Sequence, residues 1–495
     1  MKIRNIALIS VVCCFSMLNA ATYEVSAPGT LADLAKDDLT ATTLTVSGNI
    51  DARDLYFITE SMTKLTELDL SGAKIEAYSS KTALFGEELS YKADMLPKMC
   101  FFNKEYTALK LPQTVTAILN GTVAGCKKLA AITVPDGVTK IDDYAFYDCD
   151  ALESVEIPAS VKTVGTYAFA ECNALKTVTL NAESTAVPAY AFYNCTSLAG
   201  VVLPATTPAV GESAFRGCSA LAEFTFPTGL KVIAEDAFKG TKLTAVVLDN
   251  CENLDSIGDW AFADNAALAT VKFPINIKHI GVGAFFEDSA VENAVLPANI
   301  TAVSDFLFTD CAALTDPQLI TEGIVTVGKY ALSGLTSLSA LTVPASVEKL
   351  DNAALKGDTG LSEITVNTTA VPALGEKVFE GIDQPKVMLK VAENMIPEYK
   401  AAEQWKEFNI QNLSSAEDAL AAAEVKAYFN GTVLRIEANE IIASTLLFDA
   451  TGLQLSRCQG GDNTVTYETA DFSNNYYIIA VKLASGKQCA IKLSR

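Results

Sequence analysis

The sequence predicts a mainly β protein built as a solenoid of stacked coils with short irregular or helical returns, followed by a small β-sandwich. Two patterns carry this prediction. A phenylalanine returns at a nearly fixed interval through most of the chain, and a short apolar motif that often ends in proline follows it. After residue 425 both patterns stop, and apolar residues alternate with polar ones as they do in antiparallel strands.

The phenylalanine repeat sets the length of one coil. Its interval is 22 to 24 residues, and Val123, Leu332 and Leu355 fill the same position in weaker copies. A period of this length is typical of leucine-rich-repeat solenoids, and here it predicts about 13 coils. Because one coil cannot bury its own apolar side, the repeated side chains should form the core between coils. They are Phe101, Phe146, Phe169, Phe192, Phe215, Phe238, Phe262, Phe285, Phe308 and Phe379.

The apolar motif predicts a short strand in each coil. In the copy that begins at Phe146, the residues Leu152, Val155 and Ile157 give the spacing L-x-x-V-x-I. Pro158 ends the strand, because proline has no backbone N–H to donate to a neighbouring strand. The two residues that flank the middle apolar position should then point outward, and we expect them to line the concave face of the solenoid.

These outward residues form the candidate binding face. They are mostly small, rich in threonine and without aromatic rings, whereas protein-binding hot spots favour Trp, Tyr and Arg. We therefore expect a flat or extended protein partner; the alternative is that threonine is present only because β-branched residues suit strands. Tyr147 and Tyr193 offer a second candidate edge. The candidate residues are Ser154, Glu156, Thr177, Thr179, Glu223, Thr225, Thr270, Lys272, Asn293, Asp316, Gln318, Glu363 and Thr365.

The two ends of the chain lack the sequence pattern of the repeats, and this difference gives the predicted domain boundaries. The order is a signal peptide at 1–20, an N-terminal cap at 21–63, the solenoid at 64–386, its C-terminal cap at 387–411, a linker at 412–424 and the β-sandwich at 425–495. Within the C-terminal cap, residues 399–408 have the pattern of an amphipathic helix whose aromatic side chains would cover the last coil.

The first residues predict export. Lys2 and Arg4 precede an apolar stretch from Ile6 to Leu18, which is typical of a Sec signal peptide cleaved after Ala20; a short membrane anchor is the alternative. Cleavage leaves 35 basic and 59 acidic residues, a net charge of −24. Such a charge opposes binding to nucleic acid or anionic lipid. We predict a mature chain without membrane insertion that is secreted or lies at the cell surface.

Cysteine recurs three residues after the phenylalanine position, which indicates a structural role. We expect these thiols to be buried and to pack as small apolar groups, with disulfides between adjacent coils as the alternative. A zinc site is not expected, because no C-x-x-C pair accompanies them. The repeat cysteines are Cys126, Cys149, Cys172, Cys195, Cys218 and Cys311. Cys458 and Cys489 lie in the C-terminal region, where pairing with each other is left open.

The sequence offers little for catalysis. His279 is the only histidine, no G-x-S-x-G motif accompanies it, and no phosphate loop or dinucleotide fingerprint occurs. The acidic group Asp142, Asp143, Asp148 and Asp150 could supply paired carboxylates or a weak Ca²⁺ site, but in so acidic a chain a solvated surface is the simpler interpretation. We therefore predict that the protein is not an enzyme and has no cofactor or metal site.

The repeat also resembles a known family. Ala-Phe, then Cys three residues later, then L-x-x-V-x-L-P is similar to the BspA-like leucine-rich-repeat proteins of bacterial surfaces, over roughly residues 40–411. Residues 430–436, 447–452, 476–481 and 486–492 resemble a type IX secretion sorting domain, although Asn430-Gly431 replaces its Asn-Pro and Asn474 replaces its Gly. The resemblance implies display or secretion, adhesion and binding to host proteins.

Together these observations predict a non-enzymatic, adhesin-like protein that binds an extracellular or host protein through the solenoid face. Two alternatives come from other classes. The coils could act as a structural spacer in the cell envelope, or the protein could capture glycans. The absence of aromatic rings on the candidate face counts against the glycan alternative.

Overall fold

The computed structural model describes residues 19–86, 88–180, 186–316, 318–413, 425–430, 433–449, 454–468, 476–484 and 488–494. The predicted signal peptide, apart from its last two residues, lies outside this set, as does most of the predicted linker. The chain forms two compact units, residues 1–387 with 402–408, and residues 388–401 with 409–495. Each unit is described by itself.

The chain is a mainly β solenoid of about 17 turns. The phenylalanine period predicted this architecture, although with about 13 coils. The count exceeds 13 because the first coils contain no phenylalanine at the repeat position. Residues predicted as a separate cap already pair as parallel strands of the same type. The strands of this first sheet are Ala20–Val25, Thr43–Ile50, Glu67–Ile75 and Ala108–Lys110.

Each following coil has up to two short strands that pair in parallel with those of its neighbours. One row of strands comes from the L-x-x-V-x-L motif: Ala131–Thr133, Ser154–Ile157, Thr177–Leu180, Gly200–Val202, Ala245–Val247, Thr270–Lys272, Ala340–Val343 and Glu363–Val366. The return side forms the other row: Ala117–Ile118, Lys140–Ile141, Thr163–Val164, Ala209–Val210, Val232–Ile233, Ser256–Ile257, His279–Ile280, Ala302–Val303, Thr326–Val327, Lys349–Leu350 and Ala373–Leu374.

The presence of a motif strand follows the residue at the middle apolar position. Coils with Ile, Val or Leu there form one, at Ile132, Val155, Val178, Val201, Val246, Val271, Leu341 and Ile364. Coils with Phe224 or Ala294 form none, and the described residues around Pro317 form none either. Branched side chains fill the space under a strand, whereas alanine leaves it empty and proline cannot donate to the pairing.

The strands predicted around Glu223 and Thr225, around Asn293, and around Asp316 and Gln318 are therefore wrong. The spacing of apolar residues is present in those coils, but the middle residue does not support the pairing. As a result, the row of motif strands is divided into three sections, 131–202, 245–272 and 340–366.

The repeated phenylalanines form a continuous stack through the core, as predicted. From Phe146 to Phe308, neighbouring rings lie 5.0–5.7 Å apart between centroids, with interplanar angles of 4–22°. None of these rings is exposed to solvent. We call this set, Phe146, Phe169, Phe192, Phe215, Phe238, Phe262, Phe285 and Phe308, the phenylalanine stack.

Backbone hydrogen bonds between coils hold the residues around each phenylalanine in an unusual conformation. The N–H groups of Tyr144, Phe146 and Asp148 donate to the carbonyls of Thr166, Ala168 and Ala170 in the next coil, at 2.8–3.0 Å. Both Tyr144 and Asp148 have positive φ, 55° and 58°. The same left-handed positions recur in later coils, where even Trp260 and Phe306 adopt them. A left-handed φ costs a bulky residue about 1–3 kcal/mol, so the bonds between coils must offset it.

The repeat cysteines are buried thiols, as predicted. Each donates from Sγ to the backbone carbonyl of a residue in the preceding coil: Cys172 to Phe146, and Cys195 to Phe169, both at 3.1 Å. Burial raises the pKa of the Cys195 thiol well above its usual value, so the reactive thiolate is disfavoured. The ladder therefore contributes packing and hydrogen bonds rather than chemistry.

Within the described chain, the helices are Leu31–Leu34, Ala52–Ser61 and Ile396–Ala401, and the 3₁₀ turns are Gln384–Lys386, Glu393–Met395 and Trp405–Glu407. Asp51 and Asp54 form a capping box on the second helix. The carboxylate of Asp54 also accepts the backbone N–H groups of Gly29 and Leu31, at 2.6 and 2.9 Å. This buried aspartate ties the preceding loop to the helix.

The predicted continuous helix over residues 399–408 is wrong, because Gln404 has φ 63° and interrupts it. In the first unit, residues at and after the interruption contact the last coil. The Gln404 side chain accepts the backbone N–H of Val378 and donates to the carbonyl of Gly375, at 2.9 and 2.8 Å. Trp405 and Phe408 pack on Phe379, with ring centroids 4.9 and 4.8 Å away. The amide and the two rings thus replace contacts that a further coil would make.

The second unit contains one parallel pair and two antiparallel sheets. Met388–Val391 pairs in parallel with Asn409–Asn412. One antiparallel sheet has the order Lys426–Asn430, Val433–Glu437, Thr464–Glu468, and the other has the order Gln454–Gln459, Ile442–Asp449, Tyr476–Leu483, Gln488–Ser494. Buried side chains from both sheets, including Leu434, Ile436, Leu447, Tyr477 and Ile479, form one apolar cluster.

The register of the larger sheet separates the backbones of Cys458 and Cys489. Cys458 lies opposite Thr445, Thr445 lies opposite Val481, and Val481 lies opposite Cys489. Three strand spacings of about 4.8 Å therefore separate the two cysteine backbones, roughly 14 Å. A disulfide requires Cα atoms within about 7 Å, so the two residues do not pair with each other in this fold.

The phenylalanine stack leads to a stability prediction. Phe192 is fully buried and stacks on Phe169 and Phe215. We expect Phe192→Ala to lower the free energy of unfolding by about 3–5 kcal/mol, measured by urea denaturation, because it removes contacts with both neighbouring coils. Phe192→Leu is the matched control and should cost less than about 1.5 kcal/mol, since leucine already fills this position at Leu332 and Leu355. Equal losses for both variants would contradict stacking as the main contribution.

A buried carboxyl group occupies the cysteine position in one coil. Asp288 accepts the backbone N–H of Asn265 at 2.8 Å with Oδ1, whereas its Oδ2 has no hydrogen-bond partner among the described residues. Burial and the nearby Asp264 raise the pKa of Asp288 well above its usual value, and Cys311 faces it from the next coil. The carboxyl is thus held in its protonated form more strongly in the folded than in the unfolded chain.

This raised pKa predicts a pH-dependent stability. The contribution of Asp288 is fully present below the pKa of an unfolded aspartate, about 3.9, and is lost as pH rises through the folded pKa. Asp288→Asn should therefore stabilise the chain by about 1–3 kcal/mol at pH 7 and hardly at all near pH 4, measured by urea denaturation at several pH values. Asp136→Asn, an exposed aspartate in an earlier coil that does not contribute to the pKa of Asp288, is the control. A stability difference for Asp288→Asn that does not change with pH would refute this interpretation.

Candidate binding face

The structure places the predicted outward residues in two parallel rows. In the first section, Ser154 lies opposite Ala131 and Thr177, and Glu156 lies opposite Thr133 and Thr179. The next strand continues the rows with Gly200 and Val202. The apolar residues between them, such as Val155 and Val178, are buried. We call this surface, formed by the outward residues of the L-x-x-V-x-L motifs, the strand face.

Later sections repeat the arrangement. Thr270 lies opposite Ala245 and, through a single bridge, opposite Asn293, whereas Lys272 lies opposite Val247. Glu363 and Thr365 lie opposite Ala340 and Thr342 in the third section. Glu223, Thr225 and Gln318 are exposed and Asp316 is half-buried, but these four, like Asn293, lie on coils without a motif strand in their described residues. The structure therefore brings the candidates together in sections rather than as one continuous sheet.

The strand face has one positive charge among several negative ones. Of the predicted residues, only Lys272 is basic, whereas Glu156, Glu223, Asp316 and Glu363 are acidic. Within the described chain, Lys272 has no carboxylate within ion-pair distance, in contrast to Lys176 and Lys278, which pair with Glu153 and Asp255 at 2.7 and 2.6 Å. Lys272 is therefore available to a carboxylate from another molecule.

Exposed valines form a feature that the sequence-based candidate set omits. Val202, Val247 and Val295 lie at the second-row position and are 59%, 38% and 54% exposed. They occupy the same motif position as Glu156 and Lys272, so the spacing was sufficient to find them. Burying a valine contributes about 1.5–3 kcal/mol, so these side chains could support binding to an apolar surface.

A groove lies on the strand face at the end of the second section. Its volume is about 520 Å³, within the range of ligand sites. Three predicted residues, Thr270, Lys272 and Asn293, line it together with Asp249, Ala269, Val271, Phe273, Glu292 and Val295. A smaller cavity of about 230 Å³ lies near the hairpin formed by Tyr78–Ser79 and Ser90–Tyr91, and it is lined by none of the predicted residues.

The second candidate edge contains more aromatic residues than Tyr147 and Tyr193. Tyr144, Tyr167 and Tyr190 stack on one another at 5.0 and 4.4 Å, with interplanar angles of 5° and 8°. Tyr147 and Tyr193 contact the ends of this stack at 5.7 and 5.9 Å. Because ring faces within the stack cover each other, the stack presents ring edges and hydroxyl groups rather than open faces. Glycan stacking usually needs open aromatic faces, which this edge offers poorly.

Most of the acidic residues considered for catalysis already have hydrogen-bond or ion-pair partners. His279 is exposed on the return side. Asp148 and Asp150 both pair with Lys127, at 2.9 and 3.3 Å, and Asp143 accepts the backbone N–H of Thr166 at 2.8 Å. Within the described ranges, no group of three or more His, Cys, Asp and Glu side chains could hold a metal ion. In the same ranges, no helix is long and apolar enough to span a bilayer.

Comparison with solved structures supports the fold. A leucine-rich-repeat protein from Bacteroides ovatus ATCC 8483 is 22% identical, with a TM-score of 0.52, and the alignment covers 66% of this chain and 90% of that one. A leucine-rich cell surface protein from Faecalibacterium prausnitzii A2-165 is 25% identical, with a TM-score of 0.33, over 51% of this chain and 83% of that one. Among the curated proteins, none matches significantly.

Comparison with protein families identifies the repeat. The model described as a BspA type leucine-rich repeat region, in six copies, matches residues 94–198, 185–315 and 285–399. These ranges together run from residue 94 to 399, more than half of the chain, and they coincide with the coils that carry the phenylalanine stack and the strand face. The chain belongs to the family of BspA-type leucine-rich-repeat proteins.

Proposed function

We propose that the protein is a non-enzymatic, adhesin-like binding protein that recognises an extracellular or host protein through its strand face. The groove of about 520 Å³ between Thr270, Lys272 and Asn293 carries this proposal, because it lies among the outward residues that the repeat presents to solvent. Protein interaction is the role that a repeat surface without a catalytic constellation supports best.

The chemistry of the strand face supports a protein partner. Exposed valines at Val202, Val247 and Val295 supply apolar area, and Lys272 supplies a charge with no ion-pair partner among the described residues. Threonines between them can donate and accept hydrogen bonds. This mixture of apolar and polar groups is similar to that of protein–protein interfaces, which are about as apolar as ordinary protein surface.

Secretion or cell-surface display is part of the proposal. The similar protein from Faecalibacterium prausnitzii is described as a cell surface protein. The predicted signal peptide would be cleaved after Ala20, and the first strand, Ala20–Val25, begins at this point. Residues 425–495 would then serve as the export-related module that their resemblance to type IX sorting domains implies. N-terminal sequencing of the exported protein should give Ala21 as its first residue; a retained residue 1–20 segment would instead indicate an anchor.

A binding screen tests the proposal. The mature chain, residues 21–495, is applied to immobilised extracellular-matrix and mucosal proteins and, in parallel, to a glycan array at physiological salt. We expect a saturable protein ligand whose binding survives deletion of residues 412–495. The charge swaps Glu156→Lys and Lys272→Glu should weaken binding by about tenfold, because they change the charge of the strand face.

Lys162→Glu, on the exposed return side, makes the same charge change away from the strand face and serves as the control. Binding carried entirely by residues 412–495 would contradict the proposal. Glycan binding without a protein ligand would favour the capture of glycans, and no binding in either assay would favour an envelope spacer.

A further inference from the structure

The strand pairing breaks at the groove on the strand face. On one side, Thr270–Lys272 pairs with Ala245–Val247 through three residue pairs. On the other side, within the described chain, it meets the next coil through the single bridge between Thr270 and Asn293. The coil after that has no motif strand in its described residues, and regular pairing resumes only at Ala340–Val343.

The sequence explains why the break is located there. Ala294 holds the middle position in one coil and Pro317, which lies outside the described residues, holds it in the next. Alanine fills less space than the valine of other coils, and proline has no N–H to donate. The other interrupted coil, at Phe224, fills its space with a large ring that packs 5.4 and 4.8 Å from Phe215 and Phe238. The break beside Ala294 combines a missing strand with a groove of about 520 Å³.

Both sides of the break line the same groove. Residues 270–273 line it from the paired coil, and Glu292, Asn293 and Val295 line it from the unpaired coil. A strand edge without a full partner presents backbone N–H and C=O groups that a further strand can satisfy. Recognition by strand addition obtains affinity from these main-chain hydrogen bonds and specificity from alternate side chains.

We propose that the break is a site for β-strand addition, in which an extended segment of the partner protein pairs with Thr270–Lys272 and places a carboxylate against Lys272. This inference rests on the proposed function and names the form of its ligand. Apolar side chains on the segment would pack on Val295 and Phe273, at the rim and base of the groove.

The charges around the groove define the segment further. Lys272 is its only base, whereas Asp249 and Glu292 lie near its two ends. A segment with one central acidic residue and neutral or basic flanks satisfies all three groups, whereas a uniformly acidic segment would meet repulsion at both ends. The fit is therefore to a short charge pattern rather than to acidic peptides in general.

Peptide binding to the mature chain, residues 21–495, tests this inference. The probes are fluorescein-labelled, amidated pentapeptides with the sequences Val-Thr-Glu-Thr-Val and Val-Thr-Lys-Thr-Val, and a backbone N-methylated version of the first, measured by fluorescence anisotropy. We expect the Glu peptide to bind about tenfold more tightly than the Lys peptide. The N-methylated peptide should lose binding, because it cannot donate main-chain hydrogen bonds.

Variants locate the site. Lys272→Glu should reverse the preference between the two peptides, whereas Lys162→Glu should leave it unchanged. Ala294→Val restores the motif and should reduce binding of the Glu peptide at least about tenfold by closing the break. Asn293→Trp, at an exposed position, should have the same effect by filling the groove without touching the core. Circular dichroism and urea denaturation confirm that each variant is folded.

The outcomes separate this inference from the proposed function. Equal binding of the N-methylated and unmethylated peptides, no binding of the Glu peptide, or an unchanged preference in Lys272→Glu would overturn strand addition. If a protein ligand of the strand face were nevertheless found, and Ala294→Val and Asn293→Trp did not affect it, the proposed function would stand and this inference alone would fail.

Discussion

The stacking of coil on coil through the phenylalanine positions is the contact on which the rest of the molecule depends. Each ring from Phe169 to Phe285 is buried between two neighbouring rings at 5.0–5.7 Å, so neither a single coil nor a pair could bury it alone. The backbone around each ring is held by hydrogen bonds to the next coil, and this ladder fixes left-handed conformations at residues as large as Tyr144 and Trp260. The hydrogen bonds between coils offset the cost of these left-handed conformations.

A stack of this kind separates the positions that carry stability from those that are free to vary. The phenylalanine and cysteine positions are buried, and their substitutes, such as Leu332, Asn265 and Asp288, must find apolar contacts or hydrogen bonds there. The motif strands contribute less, because three coils lack one without interrupting the stack. The solenoid can therefore tolerate breaks in its strand face. A break such as the groove beside Lys272 costs little stability and creates a surface that regular pairing would cover.

The period of the sequence was enough to predict the solenoid and the buried phenylalanines, because both follow directly from spacing. The buried cysteine position followed from spacing in the same way. The missing strands were not predicted, since Phe224 and Ala294 fit the apolar pattern and differ from the middle residues of the other coils in size. The interruption at Gln404 was not predicted either, because the amphipathic pattern of 399–408 does not indicate a residue with positive φ. The groove could not be foreseen, since it depends on how far the coil at Ala294 pairs with Thr270–Lys272, which the spacing does not show. The alternation of the motif also matches the exposure of strands such as Ser154–Ile157, where Ser154 and Glu156 are exposed and Val155 is buried.

Hydrogen exchange of the backbone amides in the mature chain tests the central claim, that the phenylalanine stack is continuous while strand pairing depends on the middle apolar residue. We expect strong protection at the amides of Phe192, Phe238 and Phe285 alike. We also expect faster exchange in residues 221–226 and 293–296 than in Ser154–Ile157 and Thr177–Leu180. Equal protection of all motif segments, or weak protection of the phenylalanine amides beside the breaks, would contradict this claim.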